Sequence, residues 1–264
     1  MIAGIIHSGS GLGNQLFRYV ATRVLALDKG YEFSMVAPEN FKGKSFMNLD
    51  MGWANKENTQ IHFETIYPEG RVVPKFAYDD WKENTPYYNP EFNFIEDNTI
   101  IDGEFQDERY FQHRIDDINE WLMVEPIDIP NDTCVIGFRG GEFYVFPELG
   151  LPKSYFDEGI EIMKAKGIKN FEVHTDDPKL AKEFFPDYPV IHDIGINWRS
   201  MRYARHAIIA NSSFYILPRL LRHSQDYFGD SQYFNLTIAP RYWARRNTGE
   251  WSMPQNYYKR FKYI

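Results

Sequence analysis

The first 37 residues constrain the fold most, because they join a strand pattern, a glycine-rich loop and a helix pattern. Residues 2–7 (IAGIIH) form an apolar run typical of a buried strand. The loop GSGLGNQ follows, and Gly30 then gives a stop signal for a helix before the strand-like run YEFSMVA. Between the loop and the stop signal, apolar residues recur at helical spacing, at Leu16, Tyr19, Val20, Val24 and Leu27. Residues 2–37 therefore predict a β-loop-α-β unit, the start of a parallel sheet.

The same alternation returns in the second half of the chain. In residues 38–98 we expect irregular segments and short helices, followed by a strand in NTIIDGEF and a helix in ERYFQHRIDDINEWL. Residues 124–132 are rich in proline and acid and are interpreted as a linker. Strand and helix patterns then alternate through TCVIGFRG, SYFDEGIEIMKAKG, NFEVHTDD, DPKLAKEFF, YPVIHDI, WRSMRYARH, AIIANSS, SFYILPRLLRHS and FNLTIAP. The sequence predicts an α/β fold with two Rossmann-like domains facing across a cleft, at residues 1–124 and 125–264.

Composition and charge narrow the classes of function. The chain has 264 residues and a net charge of −8, which argues against a nucleic-acid-binding protein. Residues 1–132 carry a balance of −12, whereas residues 133–264 carry +4. Eight arginines and only two acids lie between Arg199 and Arg246. This basic segment indicates either a site for a small anionic ligand or a solvated arginine-rich surface.

Several classes of site and location are not supported by the sequence. Cys134 is the only cysteine, so neither a disulfide nor a cysteine-based zinc site can form within one chain, and we interpret Cys134 as a small apolar filler. His7, His174 and His206 match no metal spacing and are interpreted as packing or surface residues. There is no signal-peptide pattern, and no apolar run approaches the roughly 20 residues that cross a bilayer. We expect a cytoplasmic protein; peripheral membrane contact and the oligomeric state stay open.

The glycine loop fits two kinds of site. Gly9 and Gly11 match the dinucleotide pattern G-x-G-x-x-G, and Glu32 lies where the ribose partner of such a site is expected. However, Asn14 falls on the last position of the pattern, which requires a very small residue for close helix–strand packing. The alternative is a site where glycines admit a ligand and the amides of Asn14 and Gln15 bind a sugar or a phosphate.

The stretch GSGLGNQLFRYVATRVLA resembles the opening motif of the alpha-1,2-fucosyltransferases, glycosyltransferase family 11. Further segments are similar to the family's later motifs, in the same order along nearly the whole chain. They are IDGEFQDERYF, VIGFRGGEF, HTDDPKLAKEFF, RHAIIANSSFYILPRLL and LTIAPRYW. The resemblance implies two Rossmann-like domains of GT-B type, a GDP-fucose donor bound mainly by the C-terminal domain, inversion at the sugar carbon and no required metal or other cofactor.

Candidate site residues follow from the chemistry of such a transfer, which must stabilise a departing diphosphate without a metal. Arg139 matches the first arginine of the family motif, and its planar fork suits a phosphate. Asp176 ends a strand, where a carboxylate faces the ligand crevice, and the resemblance implies a contact with the base or ribose. Asp177 is either a further contact or the N-cap of the next helix. The remaining donor-binding candidates are Gly11, Gly13, Asn14, Gln15, Asn211, Ser212, Ser213 and Phe214. For the two serines the alternative is N-capping, and for Phe214 it is packing.

The loop GFRGGEF also departs from the family pattern. Gly137 replaces the family's histidine, Gly140 its second arginine and Glu142 its aspartate. Loss of one phosphate-contacting group costs about 2.7–4 kcal/mol at a transition state. Either another arginine compensates, with candidates Arg199, Arg202 and Arg241, or the donor differs, or activity is weak. Glu142 keeps a carboxylate that could act as a base or orient the acceptor hydroxyl.

The sequence thus predicts a metal-independent inverting glycosyltransferase with a nucleotide-sugar donor and a glycan acceptor. The leading version is a fucosyltransferase that uses GDP-fucose with alpha-1,2 linkage. Two alternatives stay open, a degenerate transferase that binds nucleotide or glycan without turnover and a nicotinamide-linked Rossmann oxidoreductase. The second alternative requires a small residue where Asn14 stands.

Overall fold

The computed structural model describes residues 1–53, 65–68, 88–146, 149–221, 235–241, 258 and 260–264. The chain divides into two compact units, Met1–Met123 and Val124–Ile264, here called the N-terminal and C-terminal units. Each unit is a mixed α/β structure in which a parallel sheet packs against helices. None of the helices in the described ranges combines the length and apolarity that crossing a lipid bilayer requires.

The N-terminal unit contains a four-stranded parallel sheet. Its strands are β1 (Ile2–Ile5), β2 (Phe33–Val36), β3 (Thr65–Pro68) and β4 (Thr99–Asp102), and they lie in the order β2-β1-β4-β3. Helix α1 (Leu12–Lys29) connects β1 to β2, and helix α2 (Ile115–Trp121) follows β4. Short 3-10 helices span Pro38–Asn40, Pro90–Phe94, Glu108–Tyr110 and Gln112–Arg114.

The first predicted unit is confirmed, and the packing of α1 on β1 explains it. The apolar positions Leu16, Tyr19, Val20 and Val24 have no exposed surface, and Gly30 ends the helix in the left-handed conformation at φ 69°. A Cβ built on Gly4 would lie 2.2 Å from the Thr22 hydroxyl oxygen. Close helix–strand packing is therefore permitted by a glycine in the strand, and Asn14 in the helix does not prevent it.

The C-terminal unit contains a six-stranded parallel sheet. Its strands are β5 (Thr133–Phe138), β6 (Asn170–Thr175), β7 (Val190–Ile191), β8 (His206–Ile209), β9 (Thr237–Ala239) and β10 (Lys262–Tyr263). The order is β10-β9-β8-β5-β6-β7. Counted within the unit, that is 3-2-1-4-5-6 read from the other edge, the strand order of the Rossmann fold. The helices are α3 (Glu142–Val145), α4 (Lys153–Ala165), α5 (Pro178–Phe184), α6 (Ile194–Tyr203) and α7 (Ser213–Leu220).

The strand order fixes where a ligand can bind. The connections from β5 lead to β6 and β7 on one side, and the chain then returns to β8 on the other side. The order reverses between β5 and β8, and ligands of such sheets bind in the crevice beyond the carboxyl ends of the strands at that point. In the N-terminal sheet the corresponding reversal lies between β1 and β4, since β2 is on the other side of β1.

Two parts of the predicted secondary structure were wrong. Residues Thr65–Pro68 form β3 inside the segment expected to be irregular, and much of that segment lies outside the described residues. The short strand β10, in a part of the chain for which the sequence gives no prediction, pairs with β9. The helix expected in residues 108–122 begins as two 3-10 turns, because Asp107 accepts a hydrogen bond from the Arg109 N–H and closes a tight turn there.

Candidate functional site

Three loops of the C-terminal unit meet beyond the carboxyl ends of β5, β6 and β8. Arg139 directly follows β5, Asp176 directly follows β6, and Asn211 lies two residues beyond β8. The register aligns the last residues of β5 with those of both neighbouring strands. Three sequence-predicted residues therefore share the edge where the strand order reverses, although up to 72 positions separate them in the chain (139 to 211).

Arg139 is held between two carboxylates. Its Nη1 pairs with Asp176, and its Nη2 donates to Glu142 Oε1 at 2.8 Å. The guanidinium carbon also lies 5.1 Å from the centroid of the Phe143 ring. The Arg139 side chain is 27% exposed, so one part of its fork faces solvent. Its position is fixed by neighbours on two different loops.

The two carboxylates differ in how firmly they are held. Asp176 also accepts a hydrogen bond from the Gly140 N–H at 2.9 Å, whereas Glu142 is 65% exposed and three residues from Arg139. Exposed pairs of that kind contribute only about 0–1 kcal/mol. An incoming phosphate can therefore displace Glu142 from the guanidinium at small cost, while Asp176 stays in place. This geometry shows Glu142 as a partner of Arg139, and its role as a base stays a prediction.

Asp177 caps a helix, as one of the two sequence-based interpretations predicted. One carboxylate oxygen accepts from the Leu180 N–H at 3.0 Å and the other from the Gly141 N–H at 3.1 Å. These hydrogen bonds, that from Leu180 first, lower the pKa of Asp177 below its usual range. Because both oxygens already bind backbone groups, Asp177 is better assigned to α5 than to a ligand.

The departures of GFRGGEF from the family pattern have a steric cause. A Cβ on Gly137 would lie 2.7 Å from Tyr215 Cγ, because the Tyr215 ring occupies that space. The Tyr215 hydroxyl lies 3.0 Å from the Phe138 carbonyl oxygen and 2.9 Å from that of His174, and its one hydrogen bonds to this pair of acceptors, which anchors the ring. A Cβ on Gly140 would lie 2.4 Å from Asp177 Cβ. The family's histidine and second arginine therefore do not fit this loop as it is folded.

The residues after β8 divide between packing and the crevice edge. Ser212 is the N-cap of α7, but its hydroxyl forms no capping hydrogen bond, so the capping interpretation of its side chain is wrong. Asn211 Nδ2 donates to the Leu149 carbonyl at 3.0 Å, and Ser213 begins the helix. Phe214 contacts Trp198 and Tyr215 edge-on at 5.6 and 5.2 Å, which is the packing interpretation.

A small crevice of about 10 Å³, room for about one water molecule, lies beside the start of α7. Its walls come from the loops after β8 and β9 and from aromatic residues near the C-terminus. The lining residues are Ile209, Ala210, Asn211, Ile216, Ala239, Pro240, Tyr258, Phe261 and Tyr263. The crevice shares Asn211 with the edge described above, so the same end of the sheet offers both polar groups and an aromatic wall.

The arginines behind the positive charge of the second half have different roles. Arg219 is buried and donates to Thr237 and to the carbonyls of Met201 and Ala204, so it ties α7 to α6 and β9. Arg202 is also buried, and desolvation lowers its pKa. Part of the basic segment is therefore structural, which corrects its interpretation as a ligand site or a solvated surface. Arg222, Arg245 and Arg246 lie outside the described residues.

Only one of the three arginines proposed to compensate for Gly140 lies at the correct edge. Arg202 lies in α6, four residues before the first residue of β8, so it is near the amino end of that strand. Arg199 lies about one helical turn before Arg202, and its Nη1 is 3.9 Å from Glu125 Oε2. Arg241 is exposed and lies two residues beyond the carboxyl end of β9, which is hydrogen-bonded to β8. Of these three, Arg241 can complement Arg139.

The glycine loop of the N-terminal unit contains four of the predicted donor-binding residues. Gly11 is exposed at the N-cap of α1, Gly13 is buried in its first turn, and Asn14 Oδ1 accepts from Gln106 at 3.1 Å. Gln15 is fully buried, and its amide binds three backbone groups of the surrounding loops. These bonds hold the surrounding loops together, and the contact of Gln15 with the donor stays a prediction.

The sequence interpretation missed a histidine–aspartate pair in the N-terminal unit. His7 Nε2 lies 3.0 Å from Asp102 Oδ1, and both side chains are about two-fifths exposed. The signal that could have found the pair is positional, since Asp102 ends β4 and His7 lies two residues beyond β1, which pairs with β4. Among the described residues, no group of three or more histidine, cysteine or acidic side chains could hold a metal ion.

Comparison with known proteins gives only distant structural likenesses. No family model and no curated protein matches the sequence. Two crystal structures of NodZ alpha-1,6-fucosyltransferase, soaked with GDP-fucose or co-crystallized with GDP, are 14% identical, with a TM-score of 0.40 over 83% of this chain and 92% of theirs. Fucosyltransferase NodZ from Bradyrhizobium is 15% identical, with the same TM-score over 83% and 93%. Likeness at this level assigns neither a family nor an activity to the chain.

Proposed function

We propose that the chain is an inverting glycosyltransferase of the two-domain GT-B type, with GDP-fucose as donor and a glycan hydroxyl as acceptor. The carrying observation is the edge of the Rossmann sheet, where the matched motif residues Arg139 and Asp176 form an ion pair beside Asn211 and the start of α7. Alpha-1,2 linkage and independence from metals belong to the proposal through the sequence resemblance. In this assignment the C-terminal unit binds the donor and the N-terminal unit binds the acceptor.

The geometry suits the charge that develops during such a transfer. As the acceptor oxygen bonds to the anomeric carbon, the bond to the diphosphate oxygen breaks, and its electron pair adds negative charge to the diphosphate. The Arg139 fork meets that charge bidentately, and the amino end of α7 adds backbone N–H groups. Groups held in place before the reaction stabilise such charge most strongly. Asp176 provides that support by holding the guanidinium from the side.

The position of the glycine pattern argues against the oxidoreductase alternative. A dinucleotide fingerprint follows the first strand of a Rossmann sheet, which is β5 in this chain. After β5 comes RGGE, whose arginine binds two carboxylates. The loop GSGLGNQ lies in the other sheet, whose four described strands have a different order. Neither loop has both the glycine pattern and a position directly after the first strand of the Rossmann sheet.

A second candidate, a nucleotide-binding protein without turnover, is favoured by one observation. Tyr215 and Asp177 fill the space of two groups that the resemblance would place on the phosphates. If no other cation replaces them, binding can persist while catalysis is lost. The exposed Arg241 is the group that would preserve catalysis.

Thermal unfolding with added ligands tests the proposal and separates the candidates. A ligand that binds the folded protein raises its melting temperature by mass action. We expect GDP and GDP-fucose to raise it, and UDP and NAD to have much smaller effects. GDP release from GDP-fucose should follow in the active enzyme, whereas binding without GDP release identifies the second candidate. A stabilisation by NAD alone, or by none of the GDP species, contradicts the proposal.

A further inference from the structure

The pair His7 and Asp102 lies at the strand-order reversal of the N-terminal sheet. His7 follows β1 by two residues, and Asp102 is the last residue of β4, the strand next to β1. This is the edge where parallel sheets present functional side chains to a ligand. The His7 and Asp102 side chains are 41% and 42% exposed, so a substrate can reach the pair.

The contact with Asp102 fixes which nitrogen of His7 is basic. An ionised carboxylate can only accept a hydrogen bond, so Nε2 must carry the hydrogen in the 3.0 Å contact. In the neutral imidazole, Nδ1 then holds the free electron pair. Within the described part of the chain, Nδ1 has no hydrogen-bond partner. The pair has the arrangement of a general base and the carboxylate that orients it.

The backbone of His7 is also held in place. Its carbonyl oxygen accepts hydrogen bonds from the Gln15 amide at 3.1 Å and from the Ser10 N–H at 3.2 Å. Arg18 joins the loops that follow these two strands by donating to the carbonyl of Gly103 and to the Ser10 hydroxyl. Gln15, a predicted donor-binding residue, therefore positions the loop that carries His7.

A second pair of the same type in this unit lacks these features. His113 Nε2 lies 2.6 Å from Asp28 Oδ2, and Asp28 also accepts from Arg114 at 2.8 Å. Asp28 is in the last turn of α1, at the opposite end of the helix from the glycine loop. Because that carboxylate is shared with an arginine, the His113 pair is a surface ion cluster and a matched control.

We propose that His7 is the catalytic base of the transfer and that Asp102 is its positioning residue. The inference rests on the proposed function. The proton of the attacking hydroxyl passes to His7 Nδ1 while its oxygen bonds to the anomeric carbon. The bond from that carbon to the diphosphate oxygen breaks at the same time, and the leaving group takes the electron pair. Asp102 stabilises the imidazolium and keeps the correct tautomer.

GDP release from GDP-fucose, measured with two nucleophiles, tests the assignment. In buffer, water is the hydroxyl nucleophile and needs a base; azide is an anion and needs none. His7→Gln should lower GDP release in buffer by about 10²–10⁴-fold. It should leave the azide-dependent release and GDP binding unchanged. His113→Gln should match the wild type with both nucleophiles.

The positioning role of Asp102 has its own readout. Asp102→Asn should lower release in buffer less than His7→Gln does, and the double variant should be no slower than His7→Gln alone, because the two side chains act as one unit. Azide-dependent release should again be unchanged. An additive loss in the double variant contradicts the positioning role.

The outcomes separate this inference from the proposed function. If the wild type binds GDP-fucose but releases no GDP with either nucleophile, the proposed function fails and the base assignment fails with it. If the wild type is active and His7→Gln keeps its rate in buffer, only the base assignment fails. A His7→Gln variant that folds and binds GDP but loses both reactions also overturns it, since a base is not needed for azide.

Discussion

The two glycine loops look alike in sequence and differ in what surrounds their glycines. In GSGLGNQ, a Cβ added to Gly9 or Gly11 would meet no atom within 4 Å. In GFRGGEF, a Cβ added to Gly137 or Gly140 would collide with a fixed neighbour. Glycines of the first kind leave space beside the chain, and those of the second kind are required by packing. A glycine pattern alone therefore does not distinguish a ligand cradle from a crowded loop.

Among substitutions in the two glycine loops, Gly137→Ala should lower the stability of the fold most. The new methyl group would overlap the Tyr215 ring and also lie 3.0 Å from Met201 Cε. Overpacking of this kind destabilises a core by about 1–3 kcal/mol. Chemical denaturation followed by circular dichroism should show the lower midpoint. An unchanged midpoint would mean that the ring moves aside freely and that this loop is not crowded.

Gly11→Ala should show the smallest effect on stability. Gly11 has φ −65° and ψ 157°, which any residue adopts, and no neighbour is close. Alanine is a poorer N-cap than glycine, which lowers stability, but it also restricts the unfolded chain, which raises stability. Because the two effects oppose each other, the free energy of unfolding should change by no more than about 0.5 kcal/mol. In the same denaturation assay the midpoint should match the wild type, while GDP release should fall if a ligand approaches this loop. A large drop in the midpoint would contradict the open-loop description.

Sequence patterns predicted the elements that depend on local periodicity. Helix α1 and its stop at Gly30 follow from apolar spacing and from the left-handed cap, both of which are local. The buried strands β5 and β8 follow from short apolar runs. Strand β10 has two residues and pairs with β9, so no periodicity could reveal it.

The parts that could not be predicted depend on contacts between distant residues. His7 and Asp102 are 95 positions apart and meet only because β1 pairs with β4. Tyr215 lies 78 positions after Gly137 (137 to 215) and fills its space through the packing of α7. The resemblance identified Arg139, but the carboxylates that hold it became visible only in the fold.

Calorimetric titration with GDP of the wild type, Arg139→Ala and Arg199→Ala tests the central claim most directly. The two arginines are similarly exposed, at 27% and 25%, but Arg199 lies on α6 away from the crevice edge. A hydrogen-bonded charge contributes about 1.5–3 kcal/mol, so Arg139→Ala should weaken GDP binding about 10- to 100-fold. Arg199→Ala should bind GDP as the wild type does. Equal affinity in all three proteins, or no binding by the wild type, would contradict a nucleotide site at this edge of the sheet.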